Sequence, residues 1–436
     1  MIFSHKSGLK YRAMFPGKSS VVVVGPPSGG DPAMGGSTGS GGSSGGSSAG
    51  GSVSEKDVNF YDYDGTLLHS YTVAEAQALT ELPELPEREG LICQGWNYDL
   101  ETIKEYNCAV NVGATYTTDD GTTRIYIHLE KYRTSPMLGV CVNGTVTVDW
   151  GDGTTPDVLT GTSTLDSKTI WTPNHEYTDP GDYVIKLTVD GEIGFSSQGS
   201  EYGTNILRAS QNDTIYHSQI YTNAIKKIEL GNNIKGINQY AFEKCYYLES
   251  IVIPNSVTSI GKNAFLNCRL LSTVIPNSVK SIGVGAFSGC YAMICSIPDS
   301  VSSVGSNSFT GCFCGESLTI PRSLSSISSN AFSSTYAVSC TIPKTSSFGN
   351  NAFSGNYHMT RMTFSENVSY IGTGTFSNNF ACRYYDFSNN TKVPTLSGSG
   401  YSGIAADCEI RVPAALYDEW IAATNWTSYA DKIVAV

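Results

Sequence analysis

From about residue 224 the apolar positions of this chain recur with a period of 22 or 23 residues. One column holds Leu230, Ile253, Ile275, Ile297, Ile320, Ile342, Phe364 and Phe387. A second, six or seven residues on, holds Ile237, Ile260, Ile282, Val304, Ile327, Phe348 and Ile371. A third holds Phe242, Phe265, Phe287, Phe309, Phe332, Phe353 and Phe376, and three residues beyond it come Cys245, Cys268, Cys290 and Cys312, then Thr335, Asn356 and Asn379. A unit this short cannot bury its apolar side alone, but stacked copies share one continuous core, so the period predicts a solenoid. The segment Ile251–Ile253 should pair with its equivalents on the neighbouring turns at about 4.8 Å per rung, with Pro254 closing the strand because it has no N–H to donate. Seven or eight rungs make a body roughly 35 Å long.

The pattern upstream is of another kind. Val58–Tyr63 alternates and runs into Asp64-Gly65, a hairpin signal. Leu100–Tyr106 reads as a short helix, Thr118-Asp119-Asp120-Gly121 as a turn, and Arg124–Leu129 as a strand. Val146–Asp149 forms a strand leading through Trp150 into the tight turn Gly151-Asp152-Gly153, and Val184–Val189 alternates again. Residues 28–54 are almost wholly Gly and Ser and predict a flexible linker behind a short basic segment, 1–27. The expected organisation is therefore an anchor segment (1–27), a linker (28–54), a small α+β module (55–135), a β-sandwich (136–200), a solenoid (201–395) and a C-terminal cap (396–436).

Charge narrows the classes of function. The chain of 436 residues carries a formal charge of −12, which argues against nucleic acid as a partner. No apolar run approaches the length of a membrane span, so no membrane insertion is expected. Val21–Val24, after the basic residues of the head, is too short for the apolar core of an export signal. The twelve cysteines show no C-x-x-C spacing, and the periodic placement of four of them marks inward wall positions, so buried reduced thiols are expected.

The three folded parts resemble known families. Val58-Asn59-Phe60-Tyr61, Leu82–Pro86, Arg88-Glu89-Gly90-Leu91 and Gly95-Trp96 resemble the Listeria–Bacteroides repeat, a small β-grasp-like unit of bacterial surface proteins that also accompanies solenoids in phage and prophage proteins. Val146–Thr154, His175-Glu176-Tyr177 and Gly181-Asp182-Tyr183 resemble the polycystic-kidney-disease (PKD) fold, which implies an immunoglobulin-like sandwich with Trp150 and Tyr183 in its core. The Ile-Pro, Val-x-x-Ile-Gly and Ala-Phe-x-x-Cys elements of residues 224–387 resemble the BspA-type leucine-rich repeat. Cys408–Pro413, Leu416-Tyr417, Trp420 and Trp426 resemble its closing strand and helix. The fold class expected is mostly β and multidomain: a leucine-rich-type solenoid preceded by a PKD-like sandwich and a β-grasp-like module.

Two motifs suggest chemistry. Asp62-Tyr63-Asp64-Gly65-Thr66-Leu67 resembles the motif of haloacid-dehalogenase-type phosphatases, in which the first Asp is the nucleophile, the second a general acid/base, and Mg²⁺ bridges to phosphate. About 55 residues leave no room for the doubly wound sheet such an enzyme needs, so a hairpin turn is expected instead. Asp149 and Asp152 offer too few oxygens for calcium, and turn capping accounts for them. No catalytic residue, metal or cofactor is therefore assigned.

The BspA-type resemblance implies adhesion: a recognition protein on an outer surface, either a bacterial cell surface or a virion, binding a protein or glycan through the solenoid. Tyr246, Tyr247, Tyr291, Tyr336, Tyr357 and His358, between the Phe column and the next strand, are the expected ligand-binding residues. On a virion, residues 1–27 would be held by a capsid or tail protein. The alternatives are a purely structural spacer and a hydrolase with accessory binding domains.

Overall fold

The structure, a computed structural model, describes residues 57–131, 134–164, 170–195, 206–208, 223–269 and 271–436. The anchor and linker expected at 1–54 lie outside these.

The first module is a four-stranded sheet. Strands β1 (Asp57–Tyr61) and β2 (Leu67–Thr72) form the expected hairpin; β3 (Leu91–Trp96) and β4 (Val110–Thr118) complete the sheet in the order β2-β1-β4-β3, with β1 and β4 parallel. Helix α1 (Val73–Ala78) starts on a capping box, in which Thr72 accepts from the Glu75 N–H while the Glu75 carboxylate accepts from the Thr72 N–H. Helix α2 (Leu100–Glu105) is capped by Asp99. Val58, Phe60, Val73, Ala76, Ile103, Tyr106, Val110 and Val112 make a small core between sheet and helices.

Strand β5 (Thr123–Leu129) follows the Asp119-Asp120-Gly121 turn but leaves this sheet. It pairs antiparallel with β9 (Gly181–Phe195), while β6 (Met137–Asp149) pairs with β9 and with β7 (Asp157–Thr162). At its start β6 also pairs with β8 (Ile170–Trp171) and β10 (Leu207–Arg208). Trp150, fully buried, stacks on His175 at 4.5 Å, and the Tyr177 hydroxyl donates to the Trp150 carbonyl. Tyr183 packs on Tyr177 at 4.1 Å but is only half-buried.

This unit runs directly into the solenoid. Strand β11 (Ile225–Glu229) pairs antiparallel with β5, and β12 (Ile234–Ile237) pairs parallel with β9. Both strands of the first rung thus continue an existing sheet, and the end that an isolated solenoid would expose is closed.

Each of the three inner columns is buried at every rung. The Phe rings stack at 5.2–6.2 Å from Phe242 to Phe376. The stack is extended backwards by Phe195 of β9 and forwards by Tyr401 and Trp426. On either side of each Phe, at offsets −2 and +2, the backbone is left-handed. Asn263, Asn307, Asn330 and Asn351 hold the first of these positions, and Asn267, Gly289, Gly311, Gly355 and Asn378 the second. Asn and Gly tolerate this conformation best, which explains their frequency in the repeat.

The cysteine column forms a hydrogen-bonded ladder. The thiols of Cys268, Cys290 and Cys312 donate to the carbonyls of Phe242, Phe265 and Phe287 on the preceding rung at 3.0–3.1 Å. Where cysteine gives way to asparagine the bond persists: the Asn356 amide donates to the Phe332 carbonyl at 3.1 Å, and its oxygen accepts from the Thr335 N–H. All twelve cysteines are free, and Cys93 alone among them is exposed. Burial pushes the thiols of Cys245, Cys290, Cys295, Cys312 and Cys340 well up, so thiolate is scarce where access is also poor. Titration of the native protein with a disulfide reagent at pH 8 should show about one fast thiol, removed by Cys93→Ser, and the remaining eleven only on unfolding. Four or more fast thiols would contradict the buried ladder.

The C-terminal cap adds two strands where one is expected. Glu409–Val412 pairs with Tyr384–Asp386, and Ile433–Ala435 pairs in turn with Glu409–Val412, so Val412 is a ninth member of the Ile/Phe column. Between them α3 (Tyr417–Ala422) brings Trp420 onto Phe387 at 5.4 Å and onto Trp426 at 4.5 Å. Trp426 donates its indole N–H to the Pro394 carbonyl.

Candidate functional surface

A solenoid offers a strand face and turn edges, and the geometry decides which is open. The strand ladder is not continuous here. Ser250–Val252 pairs with β11, but the next strands of that column begin only at Ser317–Thr319. The cause is the first module, which lies on the intervening rungs. The Asn97 amide donates to the Ile275 carbonyl (3.0 Å) and to Ser296 Oγ (2.9 Å), and the Tyr98 hydroxyl donates to the Ile297 carbonyl (2.5 Å). Ser296 donates to the Asn111 carbonyl, Tyr106 to Asp299, and Thr319 to the Ala109 carbonyl. Gly113 sits so close to Val274 that a Cβ there would lie 2.4 Å from its methyl groups. Backbone carbonyls that would have paired along the ladder are satisfied by side chains of the module instead.

Two clefts open at the seams. One of about 430 Å³ lies between Glu105–Cys108 and Arg322, Pro343, Lys344, Ser365 and Glu366. The other, of about 520 Å³, lies between Tyr63, Arg88, Arg124, Tyr126, Lys186, Lys227 and Glu229. Much of their charge is committed internally: Arg322 to Glu105, Arg88 to Asp62, and Arg124 and Lys227 both to Glu229.

The phosphatase-like segment belongs to the second seam. Asp62 is 1% exposed, and one of its carboxylate oxygens accepts two bonds from Arg88. Asp64 accepts from the Thr66 N–H, and the Asp62 N–H donates to the Thr66 carbonyl. These are the bonds of a hairpin turn. Asp149 likewise accepts from the Gly151 N–H, and Asp152 accepts from Thr154 and hydrogen-bonds His175 at 2.8 Å, which holds its carboxyl below the usual range.

The turn edge beyond the Phe column is uncovered. Immediately after each Cys, Thr or Asn of the wall column stands an outward residue: Tyr246, Arg269, Tyr291, Phe313, Tyr336, Tyr357 and Phe380, one per rung over seven rungs. The left-handed residue two places earlier, at Phe +2, turns the chain so that the wall residue points in and its successor out. Tyr291, Tyr357 and Phe380 are exposed, while Tyr246, Phe313 and Tyr336 are half-buried. The rings pair within the chain: Arg269 lies over Tyr246 (4.9 Å), Tyr336 meets His358 (5.7 Å), and Tyr357 stacks on Phe380 (5.8 Å, 11°). Tyr247, one place further on, is covered on one face by Lys226 (4.4 Å).

The six residues expected from the sequence thus all lie along this ridge or beside it. Arg269, Phe313 and Phe380 belong to it too and escape a reading that selects loop Tyr and His by type. The constant offset of one from the wall column identifies them.

Residues 198–294 and 293–397 match the family profile of the BspA type leucine rich repeat region, in six copies. The solenoid is therefore built of BspA-type leucine-rich repeats. Among solved structures the chain is similar to the Treponema pallidum leucine rich repeat protein, with 26% identity, 29% of this chain and 62% of that one covered, and a TM-score of 0.26. It is also similar to a leucine rich cell surface protein from Faecalibacterium prausnitzii (18% identity, 52% and 86% covered, TM-score 0.22) and a leucine-rich repeat protein from Bacteroides ovatus (17%, 57% and 96%, 0.24). The chain thus spans about 62% of the length of the Treponema protein. No curated protein matches the chain. Among the described residues no helix is long and apolar enough to cross a membrane.

Proposed function

We propose that this protein is a non-enzymatic recognition protein displayed on an outer surface, which binds a protein or glycan through the solenoid. The observation that carries this is the ridge: one outward aromatic or Arg per rung, in register and exposed or half-exposed, on a scaffold whose strand face is partly occupied by its own first module. Exposed aromatic clusters on rigid elements are the usual anchors of interfaces. BspA-type proteins are typically found on cell surfaces, which supports display on a bacterial cell. A virion decoration, with residues 1–27 held by a capsid or tail protein, suits the same architecture.

In this reading residues 136–200 form a PKD-like support and residues 55–135 a Listeria–Bacteroides-type module. The stack of Trp150, His175 and Tyr177 favours the first assignment. The chain should bind discrete spots on arrays of glycans and purified extracellular proteins. Replacing Tyr291, Tyr336 and Tyr357 together with Ser should weaken that binding roughly tenfold or more. Absence of binding on both arrays would leave the spacer reading in its place.

A further inference from the structure

The turn segments 283–293, 305–315, 328–339, 349–360 and 372–382 contain no Asp, Glu, Lys or Arg, in a chain with 66 such residues (27 + 39). The first two rungs differ, since Glu243, Lys244, Lys262 and Arg269 all fall there. Over five successive rungs the ridge therefore carries no Asp, Glu, Lys or Arg, and it is rich in Tyr, Phe, Ser, Thr, Asn and Gly, with His358 among them. That composition suits adaptable protein recognition: rigid aromatic rings give contact area at little entropic cost, and short polar side chains give adjustable hydrogen bonds.

Ring orientation separates the two possible classes of ligand. A sugar stacks on the open face of an aromatic ring. Here Tyr357 and Phe380 each turn one face to the other. Tyr336 turns towards His358. One face of each paired ring is thus spent within the ridge, and ring edges and tyrosine hydroxyls make up much of what it offers. Edges pack well into a protein surface and poorly under a pyranose.

The geometry points to the C-terminal part of the ridge, Tyr336, Tyr357, His358 and Phe380, as the anchor for a folded protein partner with a neutral contact surface. This rests on the recognition role proposed above and names its partner class. A neutral contact gains little from steering charges, so binding should be nearly independent of salt.

The test uses the full chain, with Phe380→Ala, Tyr357→Ser and Tyr246→Ala, on a purified-protein array and a glycan array, and then by titration against the proteins retained. Phe380 is 57% exposed, so its variant should keep the wild-type melting curve, and Tyr357→Ser provides a second chance if it does not. Protein spots should weaken roughly tenfold or more with Phe380→Ala or Tyr357→Ser and less than about twofold with Tyr246→Ala. Their affinity should change less than about threefold between 0.1 and 0.5 M NaCl. Ridge-dependent binding to glycan spots, or protein binding that ignores both C-terminal variants or collapses with salt, would overturn this inference and leave the recognition role standing. Binding to neither array would remove both.

Discussion

A chain beginning at Ala224 should not yield a soluble, cooperatively folded solenoid. Its first rung relies on strands that such a fragment lacks. Ile228 pairs opposite Ile125 of β5, Ile234 opposite Ile193 of β9, and Phe195 continues the inner aromatic stack onto Phe242. Cutting there removes the antiparallel partner of β11 and the parallel partner of β12 at once and exposes fully buried Ile225, Ile228, Ile234 and Phe242. Unpaired edges of this kind template further pairing. The same cut removes the first module, leaving Val252 and Val274 open and the carbonyls of Ile275 and Ile297 without Asn97 and Tyr98. Size-exclusion chromatography should show the fragment aggregated while the full chain runs as a discrete species. A monodisperse fragment with a cooperative melt close to that of the full chain would show that the upstream units are dispensable.

The second large effect is expected at the middle of the Phe column. Phe309 is fully buried between Phe287 at 5.4 Å and Phe332 at 5.2 Å. Phe309→Ala removes a ring from the middle of this buried stack, which should cost about 3–5 kcal/mol. In a solenoid each rung contacts only its neighbours, so the loss should be local. Hydrogen exchange should therefore accelerate around Phe287–Phe332 while the cap at Trp420 and Trp426 keeps its protection. Tyr291→Ala on the outer ridge, nearly half exposed, should cost less than about 1 kcal/mol. Equal destabilisation by the two variants would mean that the ridge is structural rather than a surface held out for contact.

These two expectations differ in how far they could be read in advance. The inner columns were legible because every rung solves the same packing problem, so Ile, Phe and Cys return at a fixed interval and the period alone assigns them inward. The outer ridge was half legible. Tyr246, Tyr291, Tyr336 and Tyr357 stand out as loop tyrosines, whereas Arg269, Phe313 and Phe380 share their position without sharing their type. Outward positions need not repeat one side chain, since nothing packs against all of them alike. The strand Thr123–Leu129 reads locally as the end of the first module, yet its partners are β9 and β11. Alternation shows that a strand has a buried face but does not name the strand beside it.

By itself the sequence determined the repeat, the inward aromatic column, the cysteine wall and the C-terminal closing element, because burial and left-handed turns demand particular residues at particular intervals. Only the tertiary structure decided which surface is left open. The contacts that place the first module on the strand face join residues as far apart as Asn97 and Ser296 through single hydrogen bonds to carbonyls and hydroxyls, and such bonds leave no periodic trace along the chain. With that face occupied on the middle rungs, the aromatic turn edge is a regular surface that the solenoid still presents to solvent.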